Sequence, residues 1–152
     1  MRSCSCQQKF IRTNLRTWCT EVTKLHISLI SAENLPDIRH FGKMKVYAEV
    51  SLNGTNTIKT KVDKERETNP MWDFSCDFTV NLKEASVLTV KLYCDRTRGD
   101  KCIGAIQILV SDLFQWPENV ATAYPVAGTT HGKLNIRYTT SLARQACHRS
   151  PC

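Results

Sequence analysis

Cysteines are the side chains whose chemistry is easiest to name, and the chain of 152 residues has eight of them. Cys4 and Cys6 lie near Arg2 and Lys9, a setting that suits S-acylation, so a lipid anchor is one prediction for this segment. The same acid-poor segment is also typical of an organelle transit peptide or of an inert tail. Zinc binding is not expected, because no paired Cys-x-x-Cys spacing joins the available ligands Cys4, Cys6, Cys147, His148 and Cys152.

Catalytic motifs offer a second kind of chemistry, and the sequence contains none of the common ones. It has no Gly-rich phosphate loop, no Gly-x-Ser-x-Gly elbow and no His-Glu-x-x-His. His26, His40 and His131 have no recognisable nucleophile or base partner nearby, so each is predicted to be structural or to face solvent. An enzyme is therefore not expected.

The net charge of +7 is concentrated at the two ends of the chain. Residues 1–23 carry +3 and residues 140–152 carry +2, which leaves +2 for residues 24–139. Both end segments lack hydrophobic periodicity, so we expect a domain over residues 24–139 between two disordered basic tails. A nucleic-acid partner is not expected, because basic residues are not interleaved with several aromatic side chains.

Hydropathy gives an expectation about the compartment. No apolar run reaches about 18 residues, so no membrane-spanning helix is predicted. The N-terminus has no continuous apolar segment of the kind found in secretion signals. The cysteines are therefore expected to be free thiols in the cytoplasm, where the reducing environment disfavours disulfides.

Strands must position these side chains, and alternation of apolar and polar residues predicts eight of them. Residues 72–80 show this pattern most clearly, because Trp72 and every second residue after it are apolar or small, up to Val80. Pro70 fixes its own φ and keeps Asn69 out of the helical region, so this strand follows an extended turn. The strands are predicted at roughly residues 24–32, 44–52, 56–62, 72–80, 86–94, 102–110, 121–126 and 131–139.

Two finer features follow from composition. The segments 87–92 and 103–110 are the most apolar runs, so central positions in a sheet are predicted for both. Residues 111–114 suggest a helical turn with Ser111 or Asp112 as its cap. All other connections are expected to be loops, which makes this an all-β chain of antiparallel strands.

The register of the hairpin around Asn53-Gly54 can be predicted from its side chains. A two-residue turn would pair core positions with solvent positions, so we expect a three-residue loop with Gly54 or Thr55 in a bulge. That register pairs Val50 with Ile58, Glu49 with Lys59, Val46 with Val62 and Tyr47 with Lys61. Together with Lys45 it predicts a basic strip across two strands, made of Lys45, Lys59 and Lys61.

Three motifs follow one another along the chain: the Lys59-Thr60-Lys61-Val62 strand, the Asn69-Pro70-Met71-Trp72 turn and the Ile103-Gly104 pair. Their order is typical of C2 domains, which the residues from about 24 to 139 resemble. The start of the second strand, Lys43 to Tyr47, is similar to small plant single-C2-domain proteins of the cold-regulated and copine-associated type. This resemblance implies an eight-stranded antiparallel β-sandwich whose loops at one end bind calcium or lipid head groups.

The resemblance also implies which side chains would bind calcium. Asp37, Asp95 and Asp100 are the acidic candidates. Lys45-Val46 stands where calcium-binding relatives have an aspartate followed by a proline, and Lys101 stands where they have an acidic residue. Because calcium needs six to eight oxygen ligands, we expect it to bind weakly if at all. No other cofactor is expected.

Strand parity places loops 33–43, 63–71, 95–101 and 127–130 at one pole and both tails at the other. Basic and apolar side chains mixed at one pole favour contact with an anionic membrane surface. The lipid-binding residues predicted on this ground are Arg39, Lys43, Lys45, Lys59, Lys61, Arg96, Arg98, Lys101, Ile38 and Phe41, with Met44 beside them.

Two functions are compatible with this pattern. The first is a peripheral phospholipid-binding module at a cytoplasmic membrane surface, such as the plasma membrane, with little dependence on calcium and an adaptor role in signalling or stress response. The alternative is a soluble protein-interaction module whose basic strip binds an acidic partner, for which the resemblance suggests a copine-type protein.

Overall fold

A computed structural model describes residues 17–20, 22–39, 41–142 and 146–149 of the chain. Its only helix in these residues is α1, Val110–Leu113. The strands are β1 Thr17–Thr20, β2 Val22–Glu33, β3 Val46–Leu52, β4 Thr55–Lys59, β5 Met71–Asn81, β6 Val87–Cys94, β7 Lys101–Leu109, β8 Thr122–Pro125, β9 Lys133–Leu142 and β10 Ala146–Arg149.

Eight of these strands form two four-stranded antiparallel sheets. The first sheet has the order β5-β2-β9-β8 and the second has the order β4-β3-β6-β7. Strands β2, β5, β6 and β9 bury alternate side chains, which is the pattern expected when one face of a sheet packs on a core and the other faces solvent. The predicted eight-stranded antiparallel sandwich is therefore confirmed.

The core lies between the two sheets, and Trp72 connects them. Its indole N–H donates to the carbonyl oxygen of Val46 across the sandwich, at 3.0 Å. The rest of the predicted inward face of β5 is buried as well, apart from Phe74, which is half-buried. Satisfying the indole N–H inside the core removes the penalty that a buried donor without a partner would carry.

The Asn69-Pro70 turn holds the entry to β5 against the end of β2. The N–H of Ala32 donates to the Pro70 carbonyl at 2.9 Å, and the N–H of Leu35 donates to the Thr68 carbonyl at 3.1 Å. The side-chain oxygen of Asn69 accepts the N–H of Asn34 at 3.0 Å. An extended turn at this proline thus leaves its carbonyls free to bind the neighbouring strand.

The hairpin between β3 and β4 follows the predicted register only near its turn. Glu49 pairs with Lys59 and Val50 pairs with Ile58, as predicted. The turn itself has two residues, because Leu52 pairs with Thr55 and both Asn53 (φ 53°) and Gly54 (φ 74°) are left-handed. A bulge with Asn56 at φ 54°, and not a three-residue loop, produces the shift in register.

Beyond Lys59 the predicted pairing is wrong. Val46 bridges Asp63, not Val62, and Lys61 does not pair with Tyr47. The Thr60 hydroxyl accepts the N–H of Ala48 at 3.0 Å and donates to the Lys61 carbonyl at 2.8 Å. These side-chain hydrogen bonds replace the backbone hydrogen bonds expected between β3 and β4, so β4 ends at Lys59.

Two expectations about β7 and the helical turn also need correction. β7 lies at the edge of the second sheet, where Ala105 bridges Ala127 and so covers part of the open edge. Gly104 permits this approach, since a Cβ there would lie 2.6 Å from the Ala127 oxygen. The helix begins at Val110 with Leu109 at its N-cap, so Ser111 and Asp112 are within it; the buried side chains of Val110 and Leu113 fix this position.

Strands β1 and β10 pair with each other in an antiparallel two-stranded sheet. They lie within the segments 1–23 and 140–152 that the sequence analysis predicts to be tails. Thr23 pairs with Leu142, so β2 and β9 bring the two segments close together. The division into a domain over 24–139 and two tails stays a prediction.

No helix in the described residues is long and apolar enough to cross a membrane.

Candidate functional site

Four loops lie together at one end of the sandwich, and we call this end the loop pole. They are residues 34–45, 60–70, 95–100 and 126–132, which connect the ends of antiparallel strands. The register shows that two of these loops are close together. Val46 pairs with Cys94 and Cys94 pairs with Lys101, so β3, β6 and β7 have these ends at the same side of the second sheet. The opposite pole contains the turns at 53–54 and 82–86, together with α1.

Asp63 organises the loop 60–70, and the sequence analysis did not identify it. Its carboxylate accepts the N–H groups of Met71 (2.8 Å), Glu65 (2.8 Å) and Arg66 (3.0 Å), and the Arg66 guanidinium lies 3.4 Å away. Burial by itself would raise the pKa of Asp63, but these donors outweigh it and the pKa is lowered. In the sequence, Asp63 is an acidic residue followed by a segment with few apolar residues, which is a pattern that indicates a loop held by a carboxylate.

Asp100 organises the loop 95–100 in a similar way. Its two oxygens accept the Tyr47 hydroxyl at 2.5 Å and the N–H of Arg96 at 3.0 Å. These two hydrogen bonds lower the pKa of Asp100, while burial and the hydrogen bond to Asp100 raise the pKa of Tyr47. The N–H of Asp95 donates to the Lys45 carbonyl at 2.8 Å, which fixes the loop against β3.

The outer face of the second sheet carries an aromatic pair beside the basic strip. Tyr47 stacks on Tyr93 with ring centroids 5.4 Å apart, and the Lys59 ammonium lies 5.4 Å from the centre of the Tyr47 ring. Lys59 also forms an ion pair with Glu49 at 3.6 Å. Its charge is therefore partly balanced and its position is fixed, whereas Lys61 is exposed beyond the end of β4.

The other predicted lipid-binding residues are distributed over the loop pole. Lys45 and Arg39 are half-buried, and the remaining basic side chains are exposed. Lys43 pairs with Glu65 at 3.1 Å, so its charge is also partly balanced. In the part of the chain that the structure describes, no ion pair involves Arg39, Lys45, Lys61, Arg96, Arg98 or Lys101. Exposed Lys64 in the loop 60–70 adds a further cation that was not predicted.

The apolar side chains predicted beside these cations have different environments. Phe41 is 84% exposed, which is unusual for a phenylalanine, while Ile38 is half-buried and Met44 is fully buried in the core. Met71, at the first position of β5, is 49% exposed at the same pole. The sequence analysis treated Met71 only as part of a turn, although its position just outside the alternating face was the available signal.

The three acidic candidates do not form a calcium site of the usual kind. Both oxygens of Asp100 accept protein hydrogen bonds, and one oxygen of Asp37 accepts the N–H of Arg39 at 3.0 Å. Among the described residues, no group of three or more His, Cys, Asp or Glu side chains is arranged to hold a metal. Calcium requires six to eight oxygens, so a site here would need further ligands besides these carboxylates.

His26 contacts two side chains that could not be recognised as its partners from the sequence. Its Nδ1 lies 2.6 Å from Asp77 Oδ1 and its Nε2 lies 3.0 Å from Ser141 Oγ, across β5, β2 and β9. Catalysis by such a set also requires oxyanion donors and exclusion of water. These side chains stand on the open outer face of the first sheet, so we assign them to bracing three strands.

Cys76, Cys94 and Cys102 are free thiols in different surroundings. Cys76 and Cys94 are buried, and burial raises the pKa of Cys76 to about 11, which keeps it protonated. Cys102 is exposed beside Tyr93 on the outer face of the second sheet. Cys4 and Cys6, the predicted acylation sites, lie outside the described residues.

Comparisons with known proteins agree with this architecture. The C2 domain family matches residues 23–125. "Protein SRC2" of Glycine max is 36% identical over 133 residues, which cover 78% of this chain and 46% of that protein. A "Calcium-dependent lipid-binding protein" of Arabidopsis thaliana is 29% identical over 90 residues, or 59% of this chain and 18% of that protein. The chain thus spans less than half the length of either curated relative.

Among solved structures, a C2 domain of a plant extended synaptotagmin 1 has a TM-score of 0.68. It is 19% identical, and the match covers 82% of this chain and 98% of that domain. This degree of identity supports the fold alone. The predicted resemblance to plant proteins of this family is confirmed by the soybean relative.

Proposed function

The chain belongs to the C2 domain family, and from this premise we propose that its loop pole binds anionic phospholipid membranes with little dependence on calcium. Similarity to lipid-binding proteins of this family supports membrane binding in general. The proposal adds the surface, which consists of the loop pole and the adjoining basic strip. It also adds a role as an adaptor in signalling or stress response at the cytoplasmic face of a membrane.

The observation that carries the proposal is the exposed ring of Phe41 among basic side chains. An apolar side chain that is 84% exposed can transfer into the interfacial region of a bilayer without disturbing the core. Lysine and arginine near an anionic surface each contribute about 1 kcal/mol. Phe41 and Met71 would therefore enter the interface while Lys45, Lys61 and Arg96 contact head groups.

The weak dependence on calcium is supported by the hydrogen bonds of the acidic residues. Both oxygens of Asp100 accept hydrogen bonds, from the Tyr47 hydroxyl of β3 and from the Arg96 N–H, and one oxygen of Asp37 accepts the Arg39 N–H. Around Asp95 and Asp100 stand four basic residues, Lys45, Arg96, Arg98 and Lys101, which would repel a divalent cation.

A vesicle experiment tests both parts of the proposal. We expect the protein to co-sediment with vesicles of phosphatidylcholine containing about one third phosphatidylserine, and to do so equally in excess chelator and in calcium, as the charge argument requires. Vesicles of phosphatidylcholine alone are the matched control and should retain little protein. Binding that disappears in chelator would refute calcium independence, and equal binding to neutral vesicles would refute the electrostatic mechanism.

A protein-interaction module is the second candidate, and the position of the basic strip favours it. Lys59 is fixed by Glu49 and Tyr47 on the flat face of a sheet, where an acidic protein surface such as that of a copine-type partner could dock. Failure to bind either vesicle, together with capture of an acidic partner through Lys45 and Lys61, would favour this candidate.

Acylation of the N-terminal segment would provide a second membrane signal. One fatty acyl chain binds membranes only marginally, so a chain on Cys4 or Cys6 would act together with the basic loop pole. Hydroxylamine-sensitive labelling with a palmitate analogue should be lost in a Cys4→Ser/Cys6→Ser variant. Labelling that persists in this variant would exclude these two cysteines.

A further inference from the structure

A concave surface lies at the loop pole, at the end of the first sheet and not beside the basic strip. It is an open cleft of about 690 Å³ between the loop after β2, the loop before β5 and the loop between β8 and β9. Its size is within the range of small-molecule sites. The side chains that matter for binding are Asn34, Leu35, Thr68, Pro125, His131 and Lys133.

Hydrogen bonds fix the walls of this cleft in the absence of a ligand. One wall is held by the bond from the Leu35 N–H to the Thr68 carbonyl, at 3.1 Å. The other wall is held by the bonds from the Gly132 N–H to Thr129 Oγ1 (3.0 Å) and from the Val126 N–H to the Gly132 carbonyl (2.9 Å). A cleft with fixed walls loses little conformational entropy when it binds.

Gly132 makes contact between the two walls possible. A Cβ at this position would lie 2.6 Å from Thr129 Oγ1 and 3.1 Å from Leu35 Cδ2. Asn34, on the facing wall, has a left-handed backbone with φ 56°. Such a conformation is uncommon for a residue other than glycine and is maintained here by the Asn69 side chain.

The groups that line the cleft are suited to an anion. Lys133 supplies a positive charge, while Thr68, Asn34 and the imidazole of His131 supply hydrogen-bond donors, and no carboxylate is among the described residues that line it. The Thr68 hydroxyl accepts a hydrogen bond from the Asn69 amide at 3.2 Å, which leaves its own proton available. Leu35 and Pro125 form an apolar part of the surface.

We propose that this cleft binds a phosphate monoester. Lys133 would neutralise the dianion, donors on both walls would bind its oxygens, and the attached carbon skeleton would pack on Leu35 and Pro125. The cleft shares the loop pole with the proposed membrane surface, but its lining includes neither the basic strip nor the side chains of Phe41 and Met71. Glu33 pairs with Lys133 across β2 and β9, so its carboxylate weakens the positive field of the cleft.

Backbone amide spectra of the isotope-labelled full chain, recorded during titration with glycerol 1-phosphate, test this site. Saturable shifts should be confined to the amides of Asn34, Leu35, Thr68, His131 and Lys133. Lys133→Gln should weaken binding about tenfold, the loss expected for one charge-assisted hydrogen bond. Glu33→Gln should strengthen binding, and Lys83→Gln, the same charge change at the opposite pole, should have no effect.

A parallel titration with nanodiscs that contain phosphatidic acid identifies the source of the ligand. Shifts at the cleft with the soluble ester indicate a soluble phosphate monoester, and the same shifts only with the discs indicate a lipid head group. The proposal is overturned if neither titration gives saturable shifts in the cleft, if Lys133→Gln binds as well as the unaltered protein, or if the shifts appear only around the basic strip. Loss of vesicle binding through the basic strip would leave these shifts unchanged, so the two proposals fail separately.

Discussion

Neutralising two lysines of the basic strip is the sharpest test of the proposed contact between the loop pole and membranes. In a Lys45→Gln/Lys61→Gln variant, two side chains without an ion pair among the described residues lose their charge. Lys59 is left intact because its charge is partly balanced by Glu49 at 3.6 Å. At about 1 kcal/mol for each lysine, the variant loses about 2 kcal/mol, so its Kd for anionic vesicles should rise about 30-fold.

The chain offers a matched control for this variant. Lys24 and Lys83 are exposed, and Lys24→Gln/Lys83→Gln makes the same change in net charge near the opposite pole. At about 0.1 M salt the Debye length is about 10 Å, so charges at that pole contribute little to contact through the loops. The control should bind within about twofold of the unaltered protein in vesicle co-sedimentation. Equal losses in both variants would show that only net charge matters and would refute the assignment of a membrane-facing pole.

Three further predictions concern single residues. Phe41→Ala should weaken vesicle binding at least tenfold at both low and high salt, because an exposed ring that enters the interface contributes about 1.5–3 kcal/mol. The melting temperature should not change, and a lower melting temperature would show that the ring packs on the protein instead. Asp63→Asn should lower the free energy of unfolding by about 2–3 kcal/mol, since three backbone N–H groups lose a charged acceptor. The pKa of Asp63 in the folded protein is lowered below 3.8, so this stabilisation is present above pH 3.8 and is lost as the pH falls through the folded-state pKa. If denaturant titrations below that pKa still show the same difference in unfolding free energy between Asp63→Asn and the unaltered protein, the role of the charge is refuted. Gly104→Ala should destabilise the fold by about 1–3 kcal/mol, because its Cβ would clash with Ala127 O and Val126 Cγ1, and an unchanged thermal melt would show that this loop moves freely.

Sequence periodicity predicts the sandwich well wherever one face of a strand is buried. On β2 and β5 the side-chain period of two is imposed by the core, and a shift by one residue would place buried side chains such as Ile27 and Trp72 in water. The same reasoning fails past Lys59, where the hydroxyl of Thr60 and the carboxylate of Asp63 bind backbone groups in place of a strand partner. Local side-chain competition of this kind is not visible in hydropathy.

Position in a sheet is also poorly predicted by apolar content. β7 is as apolar as a central strand but lies at an edge, because the loop 126–132 and Gly104 cover it in place of another strand. At the candidate site, charge and parity predict that cations gather at one pole. They do not predict that His26 contacts Asp77, since this depends on how β2 and β5 align across the sheet. The lipid-binding role of the ten predicted residues stays a prediction.

The loop pole uses its acidic residues as acceptors for its own backbone and hydroxyl groups. Asp63 fixes the loop before β5, Asp100 fixes the loop before β7, and Asp37 fixes a turn in the loop after β2. Each carboxylate thereby gives its loop a defined shape with donors from the protein, which is the role that a bound divalent cation has in a site built of oxygen ligands. The cations, in contrast, are mostly exposed. We infer that the loop pole keeps its shape without calcium, because its acidic residues order the loops. Its lysine and arginine side chains face outward and would attract an anionic surface. The proposed membrane affinity should therefore depend on ionic strength and not on the calcium concentration.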